Sequence, residues 1–140
     1  MNGPFTYTAG MDEAEVEAAL GDAGTAVLAL ADGDRAYAVP VSYARADGDL
    51  VVRLTDDGDA TKLAFLDATE EVVVLVYDDD PKEGWSVQIR GRLVRLEESA
   101  ARRVRDRFDP FRVFDEDLVD LDVRLYRVDP TARAGRRVAR

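Results

Sequence analysis

The polar side chains that could do chemistry here are chiefly arginine, lysine, aspartate and glutamate, because the sequence contains no cysteine and no histidine. Without cysteine there is no thiol nucleophile and no disulfide framework. Without histidine the usual zinc ligand and the commonest neutral-pH acid–base group are missing. Lys62, which with Lys82 makes up the lysine content, stands among Asp56, Asp57, Asp59 and Asp67. An ammonium in that setting either neutralises neighbouring carboxylates or offers charge-assisted hydrogen bonds to an anion. Carboxylates also run together at Asp78, Asp79 and Asp80. Neither acidic run has the alternating ligands and closing glutamate of a calcium loop, so solvated turns account for both. Trp85, the single tryptophan, offers the contact area of a barrel cap or a subunit-interface anchor.

A second kind of site is implied by backbone. "AYAVPVSYA", Ala36 to Ala44, carries the strand formers Val39, Val41 and Tyr43 around Pro40. Proline cannot donate to a neighbouring strand. The segment is therefore an edge, or it is bent so that something other than a strand can lie against it.

The elements that must position these residues follow from periodicity. Asp12 to Leu20 opens with acids and places Val16 and Leu20 on one face, which predicts a short helix that Gly21 can end. Strands are expected from about Thr25 to Ala31, through the proline segment, and over "LVVRLT", joined by the acidic turns "DGD" and "ADGDL". "ATKLAFLDAT" reads as a short helix and "EVVVLVYD" as a strand buried on both sides. "WSVQIRGRLVRLEE" predicts a long strand with Val87, Ile89, Gly91 and Leu93 on one face, where Gly91 marks a bulge or corner. A helix over Glu98 to Phe108 and a sixth strand in "LDVRLYRVDP" complete the pattern. "FRVFDEDLVD" is ambiguous between helical turn and loop, and the Arg-rich tail is either ordered or frayed. The expectation is an all-β-dominated single domain over residues 1–140: a six-stranded, mostly antiparallel split barrel with short peripheral helices.

Composition narrows function further. Twenty-nine acidic residues against nineteen basic ones give a formal charge of -10, spread along the chain. That field opposes generic nucleic-acid binding. No apolar run is long enough for a membrane helix and no signal segment opens the chain, so a cytoplasmic protein is expected. The lysine-poor, aspartate-rich mixture resembles proteins of salt-loving archaea.

The order of features is more specific than any one of them. "YAVPVSY" is followed by a turn and "LVVRLT", then "DGDATK", a hydrophobic strand and "WSVQIRGRL". This resembles the pyridoxamine 5'-phosphate oxidase-like family of flavin-binding split barrels, over roughly Met11 to Leu96 and more weakly through the last strand. "WSV", followed by Gly91, is its most specific part. The resemblance implies FMN, with its ring against the strand carrying Pro40, Val41 and Ser42, near the interface of a homodimer. It implies Arg53, Leu54 and Thr55 beside the ribityl chain and phosphate, Lys62 at the phosphate, and Trp85, Ser86 and Gln88 near the flavin, often across that interface. Arg133, Arg136 and Arg137 echo a basic C-terminal segment of some related barrels. The implied function is an FMN-dependent oxidoreductase acting on a small organic substrate. A deazaflavin-dependent reductase on the same fold and a non-enzymatic flavin-binding protein are the alternatives. The chain is shorter than the full oxidases and shows no clear equivalent of their C-terminal substrate-phosphate segment.

Overall fold

Acidic residues at the start of the first helix do capping work. In the computed structural model, which describes residues 7–56, 60–108 and 122–139, Asp12 precedes α1 (Glu13–Leu20). Its carboxylate accepts the Glu15 N–H at 2.8 Å while Glu15 accepts the Asp12 N–H at 3.2 Å. This reciprocal box satisfies two donors that the first turn leaves without helical partners. Val16 and Leu20 face the core, and Gly21 ends the helix at φ +61°, a conformation glycine adopts without a Cβ penalty.

The strands close into a barrel. β2 (Ala23–Asp32), β3 (Arg35–Ala46) and β4 (Asp49–Asp56) form an antiparallel meander; β5 (Val72–Asp78), β6 (Trp85–Arg95) and β7 (Asp122–Val138) follow, with α2 (Ala60–Ala68) between β4 and β5. The order is β7-β4-β3-β2-β5-β6, and β7 also pairs with β6, which completes a six-stranded antiparallel ring. A short β1 (Thr8–Gly10) adds to the end of β7. Alternation sends one face of every strand inward: Leu28, Val52, Val74 and Val87 are fully buried.

The long β7 resolves the reading of the tail, which is ordered strand through Val138. Three of its arginines tie the terminal region down: Arg133 bonds Glu17 at 2.6 Å, Arg137 bonds Glu15 at 2.6 Å, and Arg136 donates to the Thr8 hydroxyl at 3.0 Å. Gly91 sits at a register shift against β7, and a Cβ there would stand 2.2 Å from the Asp129 carbonyl oxygen. The glycine is required by this close backbone approach.

β5 departs from expectation. Val72, Val74 and Val76 are buried, but Val73 and Leu75 on the outer face are only half-buried and Tyr77 is 57% exposed. An apolar run was expected to mean burial on both sides, yet among the described residues no element crosses that outer face. The opposite outer face is covered. α3 (Glu98–Val104) lies over β4 and β7, where Ala101 and Val104 join Val51 and Leu125 in a second apolar cluster. The ambiguous "FRVFDEDLVD" lies outside the described residues.

Candidate functional site

The barrel splits beside Pro40. β3 pairs with β2 from Arg35 to Ala44, but its pairing with β4 ends at Ser42 opposite Arg53. Beyond that point β4 continues to Asp56 against β7 alone. Pro40, paired with Val27 on β2, thus stands where β3 has a single strand partner. A missing donor is tolerated there because the other side of the strand has no ladder to complete.

α2 enters this split. The Lys62 ammonium donates to the carbonyl oxygen of Thr55, one of the β4 residues past the point of parting, and Lys62 is only 9% exposed. Phe65 stacks on Tyr37 of β3 with ring centroids 5.2 Å apart, and the Arg35 guanidinium lies over the Phe65 ring, 5.1 Å from its centre. The Ala31 N–H donates to the Thr69 hydroxyl at 3.0 Å, which anchors the segment after α2 to β2. On the strand side, Arg53 Nη2 donates to Ser42 Oγ at 3.3 Å. Two contacts therefore flank the parting of β3 and β4, Arg53 with Ser42 and Lys62 with Thr55. Two cationic heads at such an opening suit an anion, since each offers directed, charge-assisted donors.

The other expected residues fall into different positions. The side chains of Val41 and Leu54 are core, 6% and 5% exposed, so only their backbone can meet a ligand. Pro40 and Gln88 lie on the outer face in one cross-strand row, Pro40–Val27–Leu75–Gln88. Three strand spacings separate them, about 14 Å. Trp85 is half-buried against the core and, with Pro40, lines an open groove of about 740 Å³ floored by Val27 and Leu75. Tyr77 borders this groove and lies opposite Ser86 in the β5–β6 register. Within one chain the cationic group and the β6 group are thus distinct. Asp57 and Asp59, invoked as rivals for the Lys62 charge, lie outside the described residues.

Several contributors carry no local sequence signal. Tyr37 and Phe65 meet only because α2 folds back into the split. Arg105 and Phe108 come to border Arg53 through the path of α3, and Arg95 does so from the end of β6. The acidic turn at Asp78 to Asp80 is consumed structurally. The Asp80 carboxylate accepts the Lys82 and Glu83 N–H groups, bonds that hold its pKa below the usual range.

Comparison with known proteins assigns the chain. The family model described as Pyridoxamine 5'-phosphate oxidase matches residues 12–137. The chain belongs to the pyridoxamine 5'-phosphate oxidase-like family. No curated protein matches it. Among solved structures it is similar to a FAD-binding protein of Mesorhizobium loti, with 18% identity and a TM-score of 0.71, covering 97% of this chain and all of that one. A FAD-binding protein of Mycobacterium smegmatis gives 18% and 0.65, covering 95% of this chain and all of that one. A FAD- and heme-binding protein of the same organism gives 12% and 0.67, covering 95% of this chain and 74% of that one. At these identities the likeness establishes the split-barrel fold that this family member shares with them. Among the described residues no helix is long and apolar enough to cross a membrane.

Proposed function

We propose that the protein is a homodimeric FMN-binding flavoprotein, an oxidoreductase acting on a small organic substrate. The observation that carries this reading is the split itself: β3 and β4 part at Ser42 and Arg53, and Lys62 is delivered into the same opening by α2. Arg53 and Lys62 would hold the FMN phosphate, a dianion that a chain of net charge -10 can retain only through local donors. The Ser42 hydroxyl and the backbone beside Pro40 would meet the polar edge of the ring. FMN, when bound, supplies the acceptor and donor of electrons, and the chain supplies position and exclusion of water.

The separation of the two residue groups and the uncovered outer face support the dimer. A second copy laid over Val27, Leu75 and Tyr77 would bury them and bring its own Trp85, Ser86 and Gln88 toward the first copy's split. The similar structures named as FAD-binding support a flavin and make FAD the competing form. A deazaflavin, and binding without turnover, are outcomes that the chromophore of the purified protein and its reaction with reductants distinguish. An aspartate-rich surface without cysteine fits a cytoplasm rich in salt.

Lys62 supplies the test. Titrated in high salt, Lys62→Ala should weaken FMN by about ten- to a hundredfold, the worth of roughly 1.5–3 kcal/mol for a charge-assisted contact. Riboflavin, which lacks the phosphate, should bind wild type and variant alike. Equal losses for the two flavins would overturn the assignment of Lys62 to the phosphate.

A further inference from the structure

We propose that Phe108 is a positioning residue for Arg53: its ring fixes the plane of the guanidinium and so strengthens the preference for a flavin that carries a phosphate. The inference rests on the flavin reading above and adds to it a residue from outside the split.

The contact joins segments far apart in sequence. Arg53 is the last residue of β4 that pairs with β3, and its Nη2 donates to Ser42 Oγ at 3.3 Å. Its central guanidinium carbon lies 5.1 Å from the centre of the Phe108 ring, inside the ~6 Å reach of a cation–π contact. The hydroxyl holds one nitrogen, and the ring holds one face of the planar head. Arg53 has further interactions, and the inference concerns what the ring adds to them.

Phe108 can serve as a platform because it is itself held. It closes the short 3-10 turn Arg105–Arg107 after α3, where its N–H donates to the Arg105 carbonyl oxygen at 3.5 Å. Its side chain packs on the cluster of Val51, Ala101, Val104 and Leu125. Arginine, by contrast, carries its head on a long stem and loses much rotamer freedom when a ligand fixes it. A head already oriented by a ring loses less, so affinity rises without a new contact to the ligand. A phosphate gains from this, because its oxygens need N–H donors aimed in one direction. The uncharged ribityl end of riboflavin does not. Arg35 lies over Phe65 in a similar way, but Phe65 is 4% exposed and belongs to the core. Phe108 is half-buried, so its ring can be exchanged with less damage to the fold.

The test titrates FMN and riboflavin into the full chain in high salt. Phe108→Leu should weaken FMN about two- to tenfold, the range for one side chain that must be ordered on binding, and leave riboflavin unchanged. Phe108→Trp, which keeps a π face, should bind FMN as wild type does. In an Arg53→Gln background, Phe108→Leu should cost FMN nothing further, because the head it orients is gone. In the flavin-free protein the Arg53 side-chain protons should carry a ring-current shift that Phe108→Leu abolishes. Equal losses for the two flavins, no rescue by tryptophan, an undiminished Phe108 effect without Arg53, or no ring-current shift would overturn the proposal. Arg53→Gln alone separates the two levels. If it leaves the preference for FMN intact, the assignment of Arg53 to the phosphate fails and this inference with it. If it lowers that preference while Phe108→Leu does not, only the role of Phe108 fails.

Discussion

On the β4–β7 side of the barrel the chain covers its own sheet, whereas on the β2–β5 side it leaves a similar apolar surface open. Val51 and Leu125 project outward from the first side and are buried, at 2% and 5% exposure, because Ala101 and Val104 of α3 lie on them. Val27, Val73 and Leu75 project outward from the second and remain half-buried, with Tyr77 exposed beside them. The strands on the two sides do not differ in kind. What differs is the route of the chain after each one. α3 follows β6 and returns over β4 and β7, while α2 follows β4 and is drawn into the split by Phe65 and Lys62. Among the described residues no helix buries Val27, Val73 and Leu75, although α2 meets the end of β2 at Ala31. Outward apolar residues thus mean a finished core on one side and, under the dimer reading, an interface on the other.

Removing the covered contact should have the largest effect. Leu125→Ala deletes buried side-chain volume beneath α3, and such truncations cost about 2–5 kcal/mol. Urea denaturation should show that loss at every protein concentration, because the contact is made within one chain. A loss below about 1 kcal/mol would mean that α3 closes over the gap and that the two faces are less different than their burial suggests.

The open face should answer in a different observable. Leu75→Arg places a charge among Val27, Val73 and Tyr77 but leaves the inward row of β5 untouched. Folding of the monomer should change by less than about 1 kcal/mol, as for surface substitutions. Sedimentation in high salt should show the wild type as a dimer and the variant as a monomer, since a charge buried without a partner opposes association. A variant that still sediments with wild type would remove this face from the interface.

A smaller effect is expected at the barrel end, away from both faces. Glu17 accepts from Arg133 and Arg45, and these bonds hold its carboxyl below its ordinary value of 4.5. A folded pKa below the unfolded one contributes stability that is present above about 4.5 and is lost as pH falls through the folded value. The wild-type thermal midpoint should therefore fall on acidification below that range more steeply than that of Glu17→Gln, which should start lower at neutral pH. Arg45 adds to the neutral-pH cost, because its Nε and Nη1 are buried without hydrogen-bond partners and its charge relies on Glu17. Parallel midpoint curves for the two proteins would reject the role of Glu17.

Much of this architecture was legible from local pattern. Period-two alternation and acidic turns located β2 through β6, because each strand's inward row must be apolar whatever its neighbours are. Asp12 and Gly21 bounded α1 for equally local reasons, the chemistry of its caps. Pro40 signalled an interruption in sheet pairing, and Gly91 a bulge, since each residue's backbone limits act within a few residues. The order of these signals also carried the family. The strand character of the Arg-rich tail was less legible: alternation there runs through arginine and alanine, and its partners on β6 and β1 lie far away in sequence.

The sequence by itself determined which residues face inward, where turns fall and where sheet pairing must be interrupted, because these depend on side-chain polarity and backbone freedom at adjacent positions. Only the tertiary structure decided that Lys62 reaches Thr55, that Arg53 stands between Ser42 and Phe108, and that Leu125 is covered while Leu75 is not. Those outcomes depend on where α2 and α3 come to rest, which is settled by packing between segments distant in sequence. The charge count illustrates the limit. A net charge of -10 was plain from composition, but the gathering of Arg53, Arg95, Arg105 and Arg124, among the described residues, around one pocket could arise only when β4, β6, β7 and the turn after α3 met in space.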